Sequence, residues 1–250
     1  QAKPAVIVHP AAVSAVTSSL KDPRLAFDVN ASGTLNMLIA MEALAPDCHF
    51  VFASSSEVYG RSFQHSSFLD ESGLLNPTNP YAAAKAGADL LVQEFGNRSL
   101  NVSILRLFNH TGPGQTDRFV IPAFASQIAR IERGEQDPVM MVGGLEDGRD
   151  FLDVRDVLEA YLAAIRVGHG RQAPACKIWN IASGTAYRIG DLLQMLLEMS
   201  DASIEARQDP DRMRPGPPLV VSGDAARARA DLGWSPTLPI EKTLRDTLDY

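Results

Sequence analysis

The sequence predicts an α/β fold built on a doubly wound parallel sheet, because short apolar runs alternate with helical segments along the chain. The apolar, β-branched runs that are typical of buried parallel strands lie at 5–9, 50–53 and 101–107. The segments with helical spacing between and after them lie at 28–44, 81–95 and 121–133. Because ligands bind beyond the carboxyl ends of such strands, we expect the functional residues there.

The pattern changes after Pro138, which divides the chain into two predicted units, 1–138 and 139–250. The second unit is predicted as a smaller lobe, with part of its chain returning to the sheet. Its predicted strands are 139–142 and 177–181, and its predicted helices are 153–165, 189–199, 225–232 and 240–250. The segment 207–218 is rich in proline and charge and is predicted to be a loop.

Composition excludes several classes of function. The net charge is −7 and no basic run stands out, so nucleic acid is not an expected partner. Cys48 and Cys176 form neither a metal-ligand spacing nor a disulfide framework. No apolar stretch is long enough to span a membrane, and residues 1–10 lack a signal-peptide pattern. These features predict a cytoplasmic protein with reduced thiols and without a metal site.

Tyr81 and Lys85 form a Y-x-x-x-K pair at the start of a predicted helix, after Pro80. Residues four apart share one helical face, so a lysine ammonium can stabilise the phenolate and is expected to lower its pKa. A phenol tuned in this way can transfer a proton near neutral pH. The pair alone is a weak signal, but Ser55 follows a predicted strand and offers a second hydroxyl to the same substrate oxygen.

Four segments together resemble the extended short-chain dehydrogenases/reductases that act on nucleotide sugars. They are the strand end 54–60 with its V-Y-G, the segment 79–85, the H-x-A-A-like segment 8–12, in which Pro10 replaces the usual leucine, and the V-N-x-x-G-T segment 29–34. The resemblance implies a Rossmann-like fold and NADP or NAD as cofactor. It implies catalytic roles for Ser55, Tyr81 and Lys85, with Ala11, Ala12, Asn30 and Phe108, together with Tyr81 and Lys85, beside the cofactor. Asn30 is expected to sustain a proton relay.

Three later segments narrow the resemblance to the GDP-4-dehydro-6-deoxy-D-mannose reductases of that family: 108–115, 144–156 and 212–215. The implied reaction reduces a 4-keto sugar to GDP-D-rhamnose. The implied substrate contacts are Ser56, Asn109, Arg149 and Arg214, with Arg149 reaching out of a loop. Arg212 and Arg214 together form an arginine fork that suits a diphosphate.

Glu57 keeps a second reaction open, because related GDP-mannose 4,6-dehydratases use a glutamate at this position to take the C5 proton. A 4-epimerase of the same fold, or a nucleotide-sugar-binding protein without catalysis, are further alternatives. The dinucleotide turn G-x-x-G-x-x-G is absent from the 250 residues. We therefore expect a preceding segment, on the order of 60 residues, to carry it. The resemblance also implies a homodimer through a four-helix bundle formed by helices 28–44 and 81–95.

Overall fold

The computed structural model describes residues 4–213 and 217–250. Its strands are β1 Val6–His9, β2 His49–Ser55, β3 Phe68–Leu69, β4 Asn101–Leu107, β5 Asn109–Thr111, β6 Val139–Val142, β7 Gly148–Asp153, β8 Ala175–Ile181, β9 Ala186–Arg188, β10 Glu205–Gln208 and β11 Val220–Gly223. Its helices are α1 Val16–Lys21, α2 Pro23–Phe27, α3 Gly33–Leu44, α4 Pro80–Arg98, α5 Val120–Glu132, α6 Val154–Gly168, α7 Ile189–Glu198, α8 Ala226–Leu232 and α9 Ile240–Asp249. A π-helical turn at Asp28–Ser32 leads into α3, and a 3₁₀ segment at Ser56–Gln64 follows β2.

The main sheet is parallel, with the order β1-β2-β4-β8. Its two central strands, β2 and β4, are buried, and their side chains alternate between the two faces of the sheet. Phe50 and Phe52 pack against α3 and α4, whereas Val51 packs in the core that contains α6. A fully buried aromatic or aliphatic side chain of this kind stabilises the fold by about 1.5–3 kcal/mol. The predicted doubly wound α/β architecture is confirmed.

The rest of the chain builds smaller sheets. Strands β3, β11, β7 and β5 form one sheet, and β9 pairs antiparallel with β7 at its side. Strands β6 and β10 form a separate two-stranded sheet. Helices α5, α7 and α9 enclose a separate apolar core that includes Phe124, Met140 and Leu192. Strand β8, by contrast, lies in the main sheet beside β4, so the later chain contributes to both.

Two predicted loops contain strands. Residues 148–153, interpreted as a loop before a helix, form β7, because β5 and β11 supply hydrogen-bonding neighbours on its two sides. Asp153 then caps α6, as predicted, by accepting a hydrogen bond from the Arg155 amide at 2.8 Å. The predicted loop 207–218 begins inside β10, which pairs with β6. Local sequence does not reveal either strand, because the partners are distant in the chain.

In the part of the chain that the structure describes, Cys48 and Cys176 are free thiols and no helix is long and apolar enough to cross a membrane. Within the same residues, no group of three or more histidine, cysteine or acidic side chains is arranged to hold a metal ion.

Candidate active site

The site lies where β2 and α4 meet at the carboxyl edge of the main sheet. Ser55 is the last residue of β2 and stands level with Leu107 of β4 and Ile181 of β8. The 3₁₀ segment that follows β2 turns sharply at Gly60, which has φ +46°. A Cβ atom at Gly60 would collide with the backbone of Asn76, so the glycine of the V-Y-G segment is needed sterically.

The first turn of α4 places Tyr81 over this edge. Asn79 is the N-cap, and its side-chain oxygen accepts a hydrogen bond from the Ala82 amide at 2.9 Å. Pro80 occupies the first helical position, where its lack of an N–H costs nothing. Tyr81 is therefore the first residue of α4 with a backbone N–H.

The side chains of Tyr81 and Ser55 lie near each other, and the Ser55 hydroxyl lowers the pKa of Tyr81. Ser55 Oγ also accepts the Glu57 amide at 3.2 Å, which leaves the serine proton available for the tyrosine oxygen. Burial nevertheless raises the pKa of Tyr81, and the Glu57 carboxylate raises it further. The predicted lowering of this pKa is wrong for this arrangement, because desolvation outweighs the stabilisation of the phenolate.

Lys85 lies one turn further along α4 and is buried. Its ammonium donates to the Ala53 carbonyl at 2.7 Å and lies 4.9 Å from the centre of the Phe52 ring. Burial lowers the pKa of Lys85 to about 8, and the negative charge of Asp89 partly offsets this. The ammonium is thus anchored to strand β2 near the carboxyl edge of the sheet.

Glu57 is held by Asn79, whose amide donates to the glutamate carboxylate at 3.1 Å. The same Asn79 side chain therefore caps the helix of Tyr81 and fixes a carboxylate near the phenol. Ser56, predicted to contact substrate, is buried in the same turn.

The predicted cofactor side lies after β1. Ala11 is exposed and Ala12 is half-buried in the segment that leaves this strand. The buried Asn30 side chain accepts the Val13 amide at 2.8 Å and donates to the Val13 carbonyl at 3.2 Å. Because both ends of its amide are used by Val13, Asn30 fixes this segment of the chain. Phe108 is buried at the end of β4 and packs edge-on against Phe63.

The predicted substrate side lies on the second sheet. Asn109 is half-buried in β5 and stands level with Phe151 of β7. Arg149 lies two residues earlier in β7, and its guanidinium donates to the Leu219 carbonyl at 2.6 Å and to Asp147 at 3.0 Å. The expectation that Arg149 reaches out of a loop is wrong, because strand pairing and these acceptors hold it along the sheet.

Arg214 lies outside the described residues, so its predicted diphosphate contact has no structural account. Arg212 of the same segment donates to the Met141 carbonyl at 3.0 Å and pairs with Asp209 at 3.1 Å. These contacts bring the segment that precedes residue 214 to the end of β6.

Sequence reasoning missed a buried polar network beneath the site. Asp89 forms a two-pronged ion pair with Arg106 at 3.0 and 3.1 Å and accepts the Ser54 hydroxyl at 2.5 Å. Arg106 also donates to Tyr59, which in turn donates to Asn180 at 2.7 Å. The spacing of Tyr81, Lys85 and Asp89, each four residues apart on one helix, was the available signal. Ser54, which precedes Ser55 in β2, thus belongs to this network.

A half-buried tyrosine on α6, Tyr161, was also missed. Burial raises the pKa of Tyr161, and the nearby Tyr81 raises the pKa of Tyr161 by a smaller amount. Nothing in its sequence surroundings distinguishes it from other residues of an amphipathic helix.

A doubly wound sheet with a tyrosine, a lysine and a serine gathered at its carboxyl edge defines a short-chain dehydrogenase/reductase. Similarity to known proteins identifies the family within this class. The family model described as GDP-mannose 4,6 dehydratase matches residues 1–247. The chain belongs to this family of extended short-chain dehydrogenases/reductases, which confirms the predicted enzyme class.

Three individual proteins illustrate the similarity. The chain is 37% identical over 246 residues to the GDP-6-deoxy-D-mannose reductase of Pseudomonas aeruginosa, covering 98% of the chain and 79% of that protein. The solved structure of RMD from Pseudomonas aeruginosa complexed with NADPH matches with a TM-score of 0.89 and 36% identity, covering 99% of the chain and 81% of that structure. The structure of MoeE5 in complex with UDP-glucuronic acid and NAD matches with a TM-score of 0.83 and 25% identity, covering 98% and 78%.

Proposed function

We propose that this protein reduces the 4-keto group of GDP-4-dehydro-6-deoxy-D-mannose to GDP-D-rhamnose with NADPH or NADH. The observation that carries the proposal is the placement of Tyr81 in the first turn of α4, with Ser55 at the end of β2 and Lys85 anchored to the same strand. The similarity to a GDP-6-deoxy-D-mannose reductase over nearly the whole chain supports the choice of sugar and base.

The residues of the chain supply the proton half of this reduction. Tyr81 donates its hydroxyl proton to the C4 oxygen as the carbonyl becomes an alcohol. Ser55 holds the carbonyl oxygen beside Tyr81 through its own hydroxyl. A phenol is protonated at neutral pH and burial raises the pKa of Tyr81 further, so Tyr81 carries the proton that it donates. The bound nicotinamide supplies the hydride that reduces C4.

The groups at the sheet edge fit the nicotinamide end of a dinucleotide. The buried Lys85 ammonium is available to a ribose hydroxyl next to Tyr81, and Asn30 fixes the backbone of the segment that carries Ala11 and Ala12. The neighbouring structures were solved with NADPH and with NAD, which supports this class of cofactor. We further propose Ser56, Asn109, Arg149 and Arg214 as substrate contacts.

The direct test is to supply GDP-4-dehydro-6-deoxy-D-mannose with NADPH or NADH and follow both reactants. We expect the loss of reduced cofactor to equal the formation of GDP-D-rhamnose, identified by NMR. Binding of the nucleotide sugar without turnover with either cofactor would instead indicate a protein without catalysis.

The Glu57 carboxylate favours one alternative, a 4,6-dehydratase acting on GDP-mannose. This carboxylate is fixed by Asn79 close to Tyr81, where a base for the C5 proton would stand. A dehydratase recycles its cofactor, so it would convert GDP-mannose without net consumption of NADPH or NADH. If the protein is a reductase, it should not convert GDP-mannose. A Glu57→Gln variant should then reduce the 4-keto sugar at the rate of the parent protein.

The proposal includes the predicted homodimer and a cytoplasmic location. Large apolar side chains lie exposed on both helices concerned: Ile39 and Leu44 on α3 and Leu90 on α4, with exposures of 52, 72 and 56%. Such a surface is typical of an interface. Light scattering should give a dimer mass for the parent chain and a monomer mass for Leu90→Glu. A parent monomer at high concentration would contradict this assembly.

A further inference from the structure

The backbone of Tyr81 is held by a residue outside the proposed catalytic group. The first backbone amides of a helix have no partner within the helix, so each needs another acceptor. In α4, the Asn79 side chain accepts Ala82 N–H at 2.9 Å and the Asn79 carbonyl accepts Ala83 N–H at 2.9 Å. The remaining amide is that of Tyr81, and its acceptor is Ser19 Oγ at 3.2 Å.

Ser19 lies in the short helix α1 and its side chain is fully buried. Its hydroxyl donates to the Val16 carbonyl at 2.7 Å, which orients the oxygen toward Tyr81. Both capabilities of the hydroxyl, one donor and one acceptor, are thus used. A buried serine in this arrangement serves as a cap supplied from a part of the chain 62 residues away.

Helix α1 is also connected to the predicted cofactor side. It begins three residues after Val13, whose amide and carbonyl are both bound by Asn30. The segment that carries Ala11 and Ala12 and the backbone of Tyr81 are therefore joined through a single short element. Movement of either would be transmitted to the other through the Ser19 hydrogen bond.

We propose that Ser19 is a positioning residue that fixes the Tyr81 hydroxyl relative to Ser55 and the bound sugar. The proposal rests on the proposed function, since it assigns Ser19 to the same proton transfer. Small displacements of a reacting group are costly, because proton transfer requires hydrogen-bonding distance and alignment. Loss of the Ser19 hydroxyl should therefore lower kcat and leave the KM for the nucleotide sugar unchanged.

Ser19→Ala removes the acceptor, and Ser103→Ala is the matched control. Ser103 is also a buried serine with a side-chain hydrogen bond, to His49 at 2.9 Å, but it lies toward the opposite end of β4. We expect Ser19→Ala to lower kcat roughly tenfold at unchanged KM, whereas Ser103→Ala leaves kcat unchanged. Ser19→Thr, which keeps the hydroxyl, should restore kcat. If Ser19→Ala does not fold, the nearly isosteric Ser19→Cys carries the same expectation, because a thiol is a weaker acceptor.

Hydrogen exchange of the Tyr81 amide tests the inference without turnover. In Ser19→Ala this amide should exchange about tenfold faster, while the Ala82 amide, bound by Asn79, keeps its rate. Unchanged exchange at Tyr81, or an equal fall in kcat in Ser103→Ala, would overturn the role of Ser19. If the parent protein lacks reductase activity, the proposed function fails, and the exchange rates still decide whether Ser19 holds Tyr81.

Discussion

Two adjacent serines at the end of β2 belong to different parts of the molecule. Ser54 donates a hydrogen bond to the buried carboxylate of Asp89, which also forms an ion pair with Arg106. Ser55 lies near Tyr81 at the edge of the sheet, where substrate can approach. Consecutive residues of a strand point to opposite sides, so one hydroxyl enters the interior and the next the site. The same residue type therefore supports the fold at one position and the proposed chemistry at the next.

The largest expected effect is that of Tyr81→Phe at the edge. Removal of the proton donor should lower kcat by about 10²–10⁴-fold, which is the usual contribution of general acid catalysis. Thermal unfolding should change little, because the variant loses one hydrogen bond at a half-buried position. Retained turnover, measured as oxidation of NADPH or NADH, would reject Tyr81 as the acid.

Arg106→Met should mainly lower the stability of the fold, because Arg106 belongs to the buried network and not to the edge that carries Tyr81. Asp89 would be left as a buried charge without its ion-pair partner, at a cost of about 3–5 kcal/mol in the free energy of unfolding. Denaturant titration measures this loss. Replacement of both partners by apolar residues should recover part of it, and a single-variant loss below about 1 kcal/mol would show that the network is dispensable.

Lys85 lies between the Tyr81 edge and the Asp89 network, and its contribution to the free energy of unfolding should depend on pH. Its pKa in the folded protein is lowered to about 8, so between this value and the ordinary 10.5 the unfolded chain binds more protons. The contribution of Lys85 to stability therefore rises with pH across this window and is lowest below pH 8. Relative to Lys85→Met, the parent should gain about 1–3 kcal/mol between pH 8 and pH 10.5.

Urea titrations of both proteins across this range measure the difference. Lys177→Met provides the control, because the Lys177 side chain is about half exposed. An equal pH dependence in the two lysine variants would contradict the assignment to burial of Lys85.

The smallest effects should separate the two serines themselves. Ser54→Ala should lower the free energy of unfolding by about 1–2 kcal/mol and leave kcat near its parent value. Ser55→Ala should lower kcat about tenfold with little change in stability, since a hydrogen bond worth about 1.4 kcal/mol in the transition state corresponds to that factor. Identical profiles for the two variants would remove the distinction on which the comparison rests.

Local patterns predicted the elements that form from near neighbours in sequence. Strands β2 and β4 and helix α4 are reproduced because apolar runs, helical spacing and the proline at the first helical position act locally. Strands β7 and β11 were missed because their stability depends on each other, and they are about 70 residues apart. The role of Ser19 was not predicted for the same reason, since the helix that it caps starts much later in the chain.

The sequence by itself determined the α/β class, the family and the cluster of Ser55, Tyr81 and Lys85, because motif spacing along one strand and one helix specifies them. Only the tertiary structure decided the electrostatics of that cluster. Burial raises the pKa of Tyr81 and lowers that of Lys85, and it places Asp89 and Arg106 against each other beneath Ser54. Desolvation and long-range hydrogen bonds depend on which segments pack together, and no local pattern records that packing.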